Sequence, residues 1–532
     1  MDAGSSPSTV DSRDRRLYLA VAACALVPYL PALWNGFAMD DLYIIVWNPL
    51  VHSLQGAWRA FGGPYWPPDL GGQMYRPLPV ATFAVDWTIA HGHPAWFHAI
   101  NLLWHAGVAV IVTALALALH SPSPEGRGGQ GVRTPEGRGG QGVRTAALAA
   151  GLVFAVHPVH VEAVANVIGL GELMAAVGVC LAVYAAVVRQ NVVWSGAALL
   201  VGLFSKENAV VAPALIIWAW IVGFSPRPAP PPRRRLTFVV SWVIIAGVYL
   251  AVRGAVLHPY ARLHAIAPVF LGESAFAGRL TAVAALGDVL RLLAFPLTLR
   301  VDYSPAERTV VRSLLDGRLA IGLGCLALWA VLLVLAWRRQ RRVEAFGLGW
   351  IAIAFLPVSN LLFSTGVLLA ERTLYLPSVG LALAAGAALA RLPVQRLRVV
   401  LGLLVVAGGI RSALRTPVWH DDFSVTQSIL EDSPQSYRGP ARMGAIYQSH
   451  RQPAQALGAL REAAKIYDRD PTLFVAAADA EITLGRPRLA DTLLMRAEQL
   501  CYRCPGYYRT QALAARSRGD SAVADSLLSR IR

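Results

Sequence analysis

Charge is what this chain lacks. Only 15% of its 532 residues are Asp, Glu, Lys or Arg, against roughly 25% in soluble domains. That excludes an ordinary soluble globule. Cysteine is also scarce. Cys24, Cys180, Cys325, Cys501 and Cys504 form no disulfide framework, and three lie in apolar runs, where a thiol packs as a small hydrophobe. Cys501-x-x-Cys504 has no partner ligands that would complete a metal site, which leaves packing or a disulfide. No small-residue cleavage site follows the first apolar run near 28–34, so Arg13, Arg15 and Arg16 precede an uncleaved span rather than a signal peptide. The internal pseudo-symmetry of many transporters is missing too.

What is present is apolar: 55% of the residues. Runs near 17–34, 96–119, 146–165, 171–188, 192–205, 208–224, 237–256, 317–337, 345–363, 374–391 and 397–414 approach the roughly 20 residues that cross a bilayer. The expected fold is all-α: a polytopic membrane helix bundle of about eleven spans. The net charge of +16 is not a nucleic-acid signal, because the arginines cluster between spans. With the N-terminus inside, alternation puts Arg127, Arg133, Arg138 and Arg144 inside. Arg233–Arg235, Arg338–Arg342, and Arg391, Arg396 and Arg398 fall there too, as the positive-inside rule requires. That parity holds if 257–316 stays outside, with Leu280–Leu299 re-entrant or surface-lying; its Asp288, Arg291 and Pro296 fit that placement.

The expected organisation is a cytoplasmic tail 1–16, a transmembrane domain 17–415 and an extracytoplasmic C-terminal domain 416–532. Within the second, 35–95 is the first outer loop and 120–145 a flexible cytoplasmic insertion. The insertion contains Pro-Glu-Gly-Arg-Gly-Gly-Gln-Gly-Val-Arg-Thr twice in tandem, at 124–134 and 135–145. Beyond about Arg415, Ala456, Ala490 and Ala524 recur every 34 residues, as do Leu460, Leu494 and Leu528, Pro471 and Pro505, and Gly485 and Gly519. This is the tetratricopeptide period, predicting a short α-solenoid that binds peptides or partner helices. Trp419-His420-Asp421-Asp422 reads as its solvent-facing lead-in.

Polar residues collect at the span ends placed outside. They are Asp40-Asp41, Tyr75-Arg76-Pro77, His98, Asn101, His105, His157, His160, Glu162, Lys206-Glu207, Arg253, His258, Asp302-Tyr303 and Glu371-Arg372. Ionisable groups against a membrane are functional candidates because burying them is expensive. Lys206, Arg253 and Arg372 suit a phosphate, which Arg can bind bidentately. Asp40, Asp41 and Glu162 suit a general base, and the adjacent aspartates would be the ligands of a divalent metal ion if one is used. The plainer readings are a solvated loop or helix cap at Asp40-Asp41, helix-end caps at the histidines, and local ion pairs at Lys206-Glu207 and Glu371-Arg372.

Six stretches carry a resemblance. They are Phe37-Ala-Met-Asp40-Asp41 with Asn48-Pro49; Tyr75-Arg76-Pro77-Leu78; His98-Ala-Ile-Asn101-Leu-Leu-Trp-His105; His157-Pro-Val-His160-Val-Glu162; Ser205-Lys206-Glu207; and Glu371-Arg372-x-x-Tyr375-Leu-Pro377-Ser378-x-Gly380. In this order, and with the repeats, the chain resembles the transmembrane O-mannosyltransferases that carry tetratricopeptide repeats, of the GT-C class. The resemblance implies transfer of a mannose-like sugar from a polyprenyl- or dolichyl-phosphate donor to a hydroxyl of a protein or glycan on the outer face, with inversion. It implies a carboxylate of Asp40-Asp41 as base, and Lys206 and Arg372 at the donor phosphate. Arg76, His157, His160, Glu162, Arg253 and Glu371 are the further candidates for the donor site. The region 270–304 matches only loosely and the repeat array is short. High Ala, Arg and Gly content with the tandem duplication suggests a bacterial protein, hence an inner membrane with the repeats in the periplasm. The alternative is a non-enzymatic membrane-anchored repeat scaffold for envelope assembly, which would need no Asp40, Asp41 or Arg372.

Overall fold

The computed structural model describes residues 12–68, 72, 74–120, 136–223, 230–260, 266–500 and 506–529. Arg127, Arg133, the whole of the first tandem copy, Cys501 and Cys504 lie outside the described residues. Among those described, every regular element is a helix.

Seven helices are long and apolar enough to cross a membrane: Ser12–Trp34, Pro94–His120, Val167–Val187, Pro232–Leu257, Gly317–Arg338, Glu371–Leu389 and Val394–Trp419. Gln141–Ala155 and Pro158–Ala165 make an eighth if counted as one span bent by 46°. The bend follows from Pro158, which lacks an N–H and forces His157 to extended backbone, with ψ of 123°. Val192–Ser205, Glu207–Val222 and Arg342–Phe355 are shorter apolar helices, and with them each of the eleven expected segments is helical. Lys206 separates the first two of these by adopting extended backbone at φ −160° and ψ 143°.

Val167–Val187 is the centre of the bundle, 78% buried across its apolar window. Small residues let its neighbours approach. A Cβ at Gly178 would stand 2.6 Å from the Gly202 Cα, and one at Gly347 would stand 2.3 Å from the Gly380 carbonyl oxygen. By contrast Pro232–Leu257, Gly317–Arg338 and Val394–Trp419 are only 17% buried. They turn Val243, Ile244, Leu250, Val331 and Leu403 outward, as lipid-facing helices do.

The basic clusters gather at one end of the bundle. Arg144 bonds Asp14 at 2.8 Å, Arg342 bonds the Gly223 carbonyl at 3.1 Å, Arg234 bonds the Gln190 carbonyl at 2.5 Å, and Arg391 pairs with Glu344. At the other end, Ala275–Ala284 and Leu286–Ala294 fold as short helices. The second buries Val289, Leu292 and Leu293 against Val159, Leu299, Tyr303 and Leu374.

Beyond the last span, Arg438–Ser449 pairs with Pro453–Ile466, Pro471–Thr483 with Pro487–Leu500, and Tyr507–Ser517 with Ser521–Ser529. The three hairpins stack as a short tetratricopeptide-like solenoid. The alanines of the 34-residue period, Ala456, Ala490 and Ala524, are fully buried where helices touch. Gly485 and Gly519 take φ of 74° and 91° in the hairpin turns. Arg451 holds that place in the first unit at φ 58°.

Candidate active site

The two adjacent aspartates differ. Asp41 is buried, and both carboxylate oxygens accept backbone amides: Ala38 N–H at 3.1 Å and Ile168 N–H at 2.9 Å. It pins the first loop to the turn that opens the central helix. Burial pushes its carboxyl up to about 7; the amide bonds from Ala38 and Ile168 pull it down in part, and neighbouring Asp40 raises it. Asp40 is half-buried and has no hydrogen-bond or ion-pair partner among the described residues. Its charge reaches Arg372 and the ring of Tyr65. Asp40 is therefore the carboxylate left available.

Around it stand three ion pairs, each drawn from two elements. Arg372 gives its backbone N–H to Glu162 at 2.8 Å and its guanidinium to the other oxygen of the same carboxylate. Lys206 pairs with Glu172, whose second oxygen accepts Asn208 at 3.1 Å. Arg76 bonds Glu207 at 2.9 and 3.0 Å and lies 5.2 Å from the Tyr65 ring centre. Lys206 feels the charges of Arg76 and Arg372, so the three cations form one cluster. The guanidinium of Arg253 is a fourth cation near Tyr249, and its Nε is buried without a partner.

The extended backbone at Lys206, the start of the central helix at Glu172 and the short helix Glu371–Leu374 bring these groups to one end of the bundle. Each cation keeps N–H groups beyond those its glutamate takes, and Arg372 is 34% exposed. The cluster can thus hold a phosphate beside a carboxylate able to take a proton.

Three candidates sit in the packing instead. The His157 ring contacts the Leu293 carbonyl at 3.0 Å and caps its own turn through Val159 N–H at 3.3 Å. His160 bonds the Ser378 hydroxyl at 2.7 Å inside a nest of Phe154, His105 and Tyr375. Glu371 accepts the Arg300 N–H at 2.5 Å and the Tyr303 hydroxyl at 3.1 Å, bracing the 300–303 segment. His105 bonds Tyr375 at 2.8 Å, and Asn101 donates to the carbonyls of Val164, Asn166 and Val167. These motif residues fix the frame on which the cations are mounted.

Both Asp41 oxygens already accept amides, which leaves Asp40 as the carboxylate without a partner, and no group of three His, Cys, Asp or Glu that could hold a metal ion occurs among the described residues.

Sequence reasoning passed over Glu172, Asn208 and Tyr65. Glu172 carried a usable signal, a lone carboxylate at the head of an apolar span. It also read Trp419-His420-Asp421-Asp422 as facing solvent, which holds for the side chains of His420 and Asp421, 54% and 47% exposed, but not for Trp419 or Asp422. Trp419 is buried, the His420 carbonyl accepts Gly36 N–H at 2.8 Å, and Asp422 accepts Met39 N–H at 2.6 Å. Folding brings this segment against the first loop, a contact 383 residues apart in sequence.

The fold and the site thus define a multi-pass helical membrane protein with an acid–base and cationic cluster at one end and a repeat stack joined to it. Its relatives carry a more particular name. The chain is 27% identical over 468 residues to human Protein O-mannosyl-transferase TMTC4, covering 78% of this chain and 62% of that protein. It is 22% identical over 528 residues to human Protein O-mannosyl-transferase TMTC3, covering 90% and 54%. To Protein O-mannosyl-transferase Tmtc2 of Drosophila melanogaster it is 32% identical over only 164 residues, 30% of this chain and 15% of that protein. These homologues are the protein O-mannosyltransferases that the six motifs resemble. The chain spans about three fifths of the length of human TMTC4 and about half that of human TMTC3. No family model and no solved structure matches it.

Proposed function

We propose that this chain is an integral-membrane glycosyltransferase of the GT-C type. It moves a mannose-like sugar from a polyprenyl- or dolichyl-phosphate donor to a hydroxyl of a protein or glycan acceptor on the extracytoplasmic side. The observation that carries this reading is the meeting of Asp40, without a partner among the described residues, with the Arg372, Lys206 and Arg76 cluster, drawn from three separate parts of the chain at one end of the bundle. The names of the relatives support the same reaction.

The Asp40 carboxylate accepts the acceptor hydroxyl's proton as the oxygen attacks the anomeric carbon. The carbon–oxygen bond to the phosphate breaks on the opposite face, so configuration inverts. Lys206 and Arg372 bind the departing lipid phosphate and stabilise its growing charge. Glu172 and Glu162 hold these two cations in place before the donor arrives, which reduces reorganisation during transfer. Asp41 shapes the loop rather than touching substrate. Arg76 and Arg253 extend the cationic wall. No step is routed through a metal. The arginine clusters at the opposite end support a cytoplasmic side there, with the N-terminus, and the reading then puts the repeats of 416–532 on the acceptor side.

The test is purified full chain with polyprenyl-phosphate mannose, dolichyl-phosphate mannose and a Ser/Thr-rich peptide, wild type beside Asp40→Asn. Wild-type sugar transfer lost in the variant supports the enzyme. Absence of transfer and of donor hydrolysis by wild type favours the membrane-anchored scaffold.

A further inference from the structure

The first loop reaches Asp40 through an uncommon backbone. Met39 has φ of 58°, the left-handed region that a non-glycine residue occupies at a cost. Within the loop, Asp41 holds the Ala38 N–H at 3.1 Å, and a second hold comes from outside it. The Met39 N–H donates to Asp422 Oδ1 at 2.6 Å, and the same oxygen accepts Nη2 of Arg442 at 2.8 Å. Asp422 opens the helix Asp422–Asp432 after the last span, and Arg442 lies in the first helix of the repeat stack, Arg438–Ser449. Two further bonds run beside this contact. Gly36 N–H meets the His420 carbonyl at 2.8 Å, and the Asn35 amide meets the Thr416 carbonyl at 3.1 Å.

A second tie reaches the other side of the site. Asp302 accepts the Ser436 hydroxyl at 2.5 Å and lies 3.5 Å from Arg438, while the neighbouring Tyr303 hydroxyl holds Glu371, next to Arg372.

We propose that Asp422 is a positioning residue for Asp40: clamped by Arg442 of the first repeat, it fixes Met39 in its left-handed conformation and so aims the Asp40 carboxylate. The repeat stack is then part of the catalytic frame as well as a docking surface. This rests on the glycosyltransferase reading for its functional consequence, but the contact itself does not. Asp422 acts through a bond to the residue that precedes Asp40, so its loss misdirects the base without removing a donor contact.

The experiment compares wild type, Asp422→Ala, Asp422→Asn and Arg442→Ala as full chain in lipid nanodiscs. Amide exchange is measured over 36–46, and sugar transfer from dolichyl-phosphate mannose and undecaprenyl-phosphate mannose to a Ser/Thr-rich peptide is measured alongside. Losing a hydrogen bond to a charged group should raise exchange in Asp422→Ala by roughly ten- to a hundredfold in that loop and little elsewhere. Transfer should fall through kcat by about tenfold or more, with the donor KM within about twofold. Asp422→Asn keeps an oxygen acceptor and should recover most of both, and Arg442→Ala should fall between. Unchanged exchange over 36–46 overturns the inference. So does equal impairment of the Ala and Asn variants with bundle-wide loosening, which marks a merely structural residue. Wild-type turnover with no effect of Asp422→Ala likewise sinks it. A wild type that transfers no sugar, with the loop still loosened in Asp422→Ala, removes the glycosyltransferase reading while the clamp stands.

Discussion

The ion pairs around Asp40 and most ion pairs on the repeat stack, those of the buried Glu481 apart, obey different rules. In the stack, Lys465 and Glu462 pair while 70% and 61% exposed, and Arg516 and Asp525 while 53% and 69% exposed. Water solvates each partner there with or without the other. In the bundle, Glu172 and Glu162 are only 3% and 2% exposed where they meet Lys206 and Arg372. Taking such charges out of water costs several kcal/mol per ion, and a well-packed apolar pair would serve stability as well. Buried pairs at one end of a membrane bundle are therefore poor stabilisers and good holders of preset charge. The first kind of pair decorates a surface; the second kind, beside the unpartnered Asp40, outlines the candidate site.

The comparison can be broken in several places. The largest effect is expected at Asp40, where Asn should lower sugar transfer by about a hundredfold or more while leaving thermal unfolding in place. Activity of Asp40→Asn near wild type would move the base elsewhere. Next comes the Lys206–Glu172 pair. Lys206→Met alone and Glu172→Leu alone should each cost roughly 3–5 kcal/mol of stability, since each strands a buried charge, and the double variant should recover much of that. Thermal unfolding of all four forms checks it, and simple additivity would show that the two charges are not coupled.

A smaller, pH-dependent effect belongs to Asp41. Its folded carboxyl titrates near 7 and its unfolded one near 3.8. Between these values the folded chain binds more protons than the unfolded one, so this group's contribution to stability falls as pH rises from about 4 to about 7. The difference in unfolding temperature between wild type and Asp41→Asn should therefore change steadily across that window. A pH-independent difference would place Asp41 in water. The smallest effect is on the stack: Arg518→Ala removes the pair to Asp491 at 2.6 Å and should cost no more than about 1 kcal/mol. A larger loss would erase the contrast between the two regions.

Much of the scaffold was legible because its signals are local. A run of apolar residues reads as a span, a 34-residue recurrence of Ala reads as a helix contact, and arginines between runs mark one side. The candidate site was legible in part. Asp40, Arg76, Lys206 and Arg372 are polar interruptions of an apolar chain, and Lys206 is one of only two lysines in it. The distinction between Asp40 and Asp41 was not legible, because it depends on where the amides of Ala38 and Ile168 point after folding. His157, His160 and Glu371 have the same chemistry in sequence as a ligand would. Only their partners, Leu293, Ser378 and Tyr303, show what they hold. Asp422 was the hardest to read. Its role comes from a bond to Met39 across nearly the whole chain, and no spacing rule reaches that far.

The measurement that bears most directly on the account is single-turnover sugar transfer from polyprenyl-phosphate mannose to a Ser/Thr peptide by the full chain, with wild type, Asp40→Asn and Asp41→Asn side by side. The account predicts transfer by wild type, loss by at least about a hundredfold in Asp40→Asn with the donor still bound, and a milder loss in Asp41→Asn accompanied by a loosened loop. Full transfer by Asp40→Asn, with Asp41→Asn inert but folded, would contradict it.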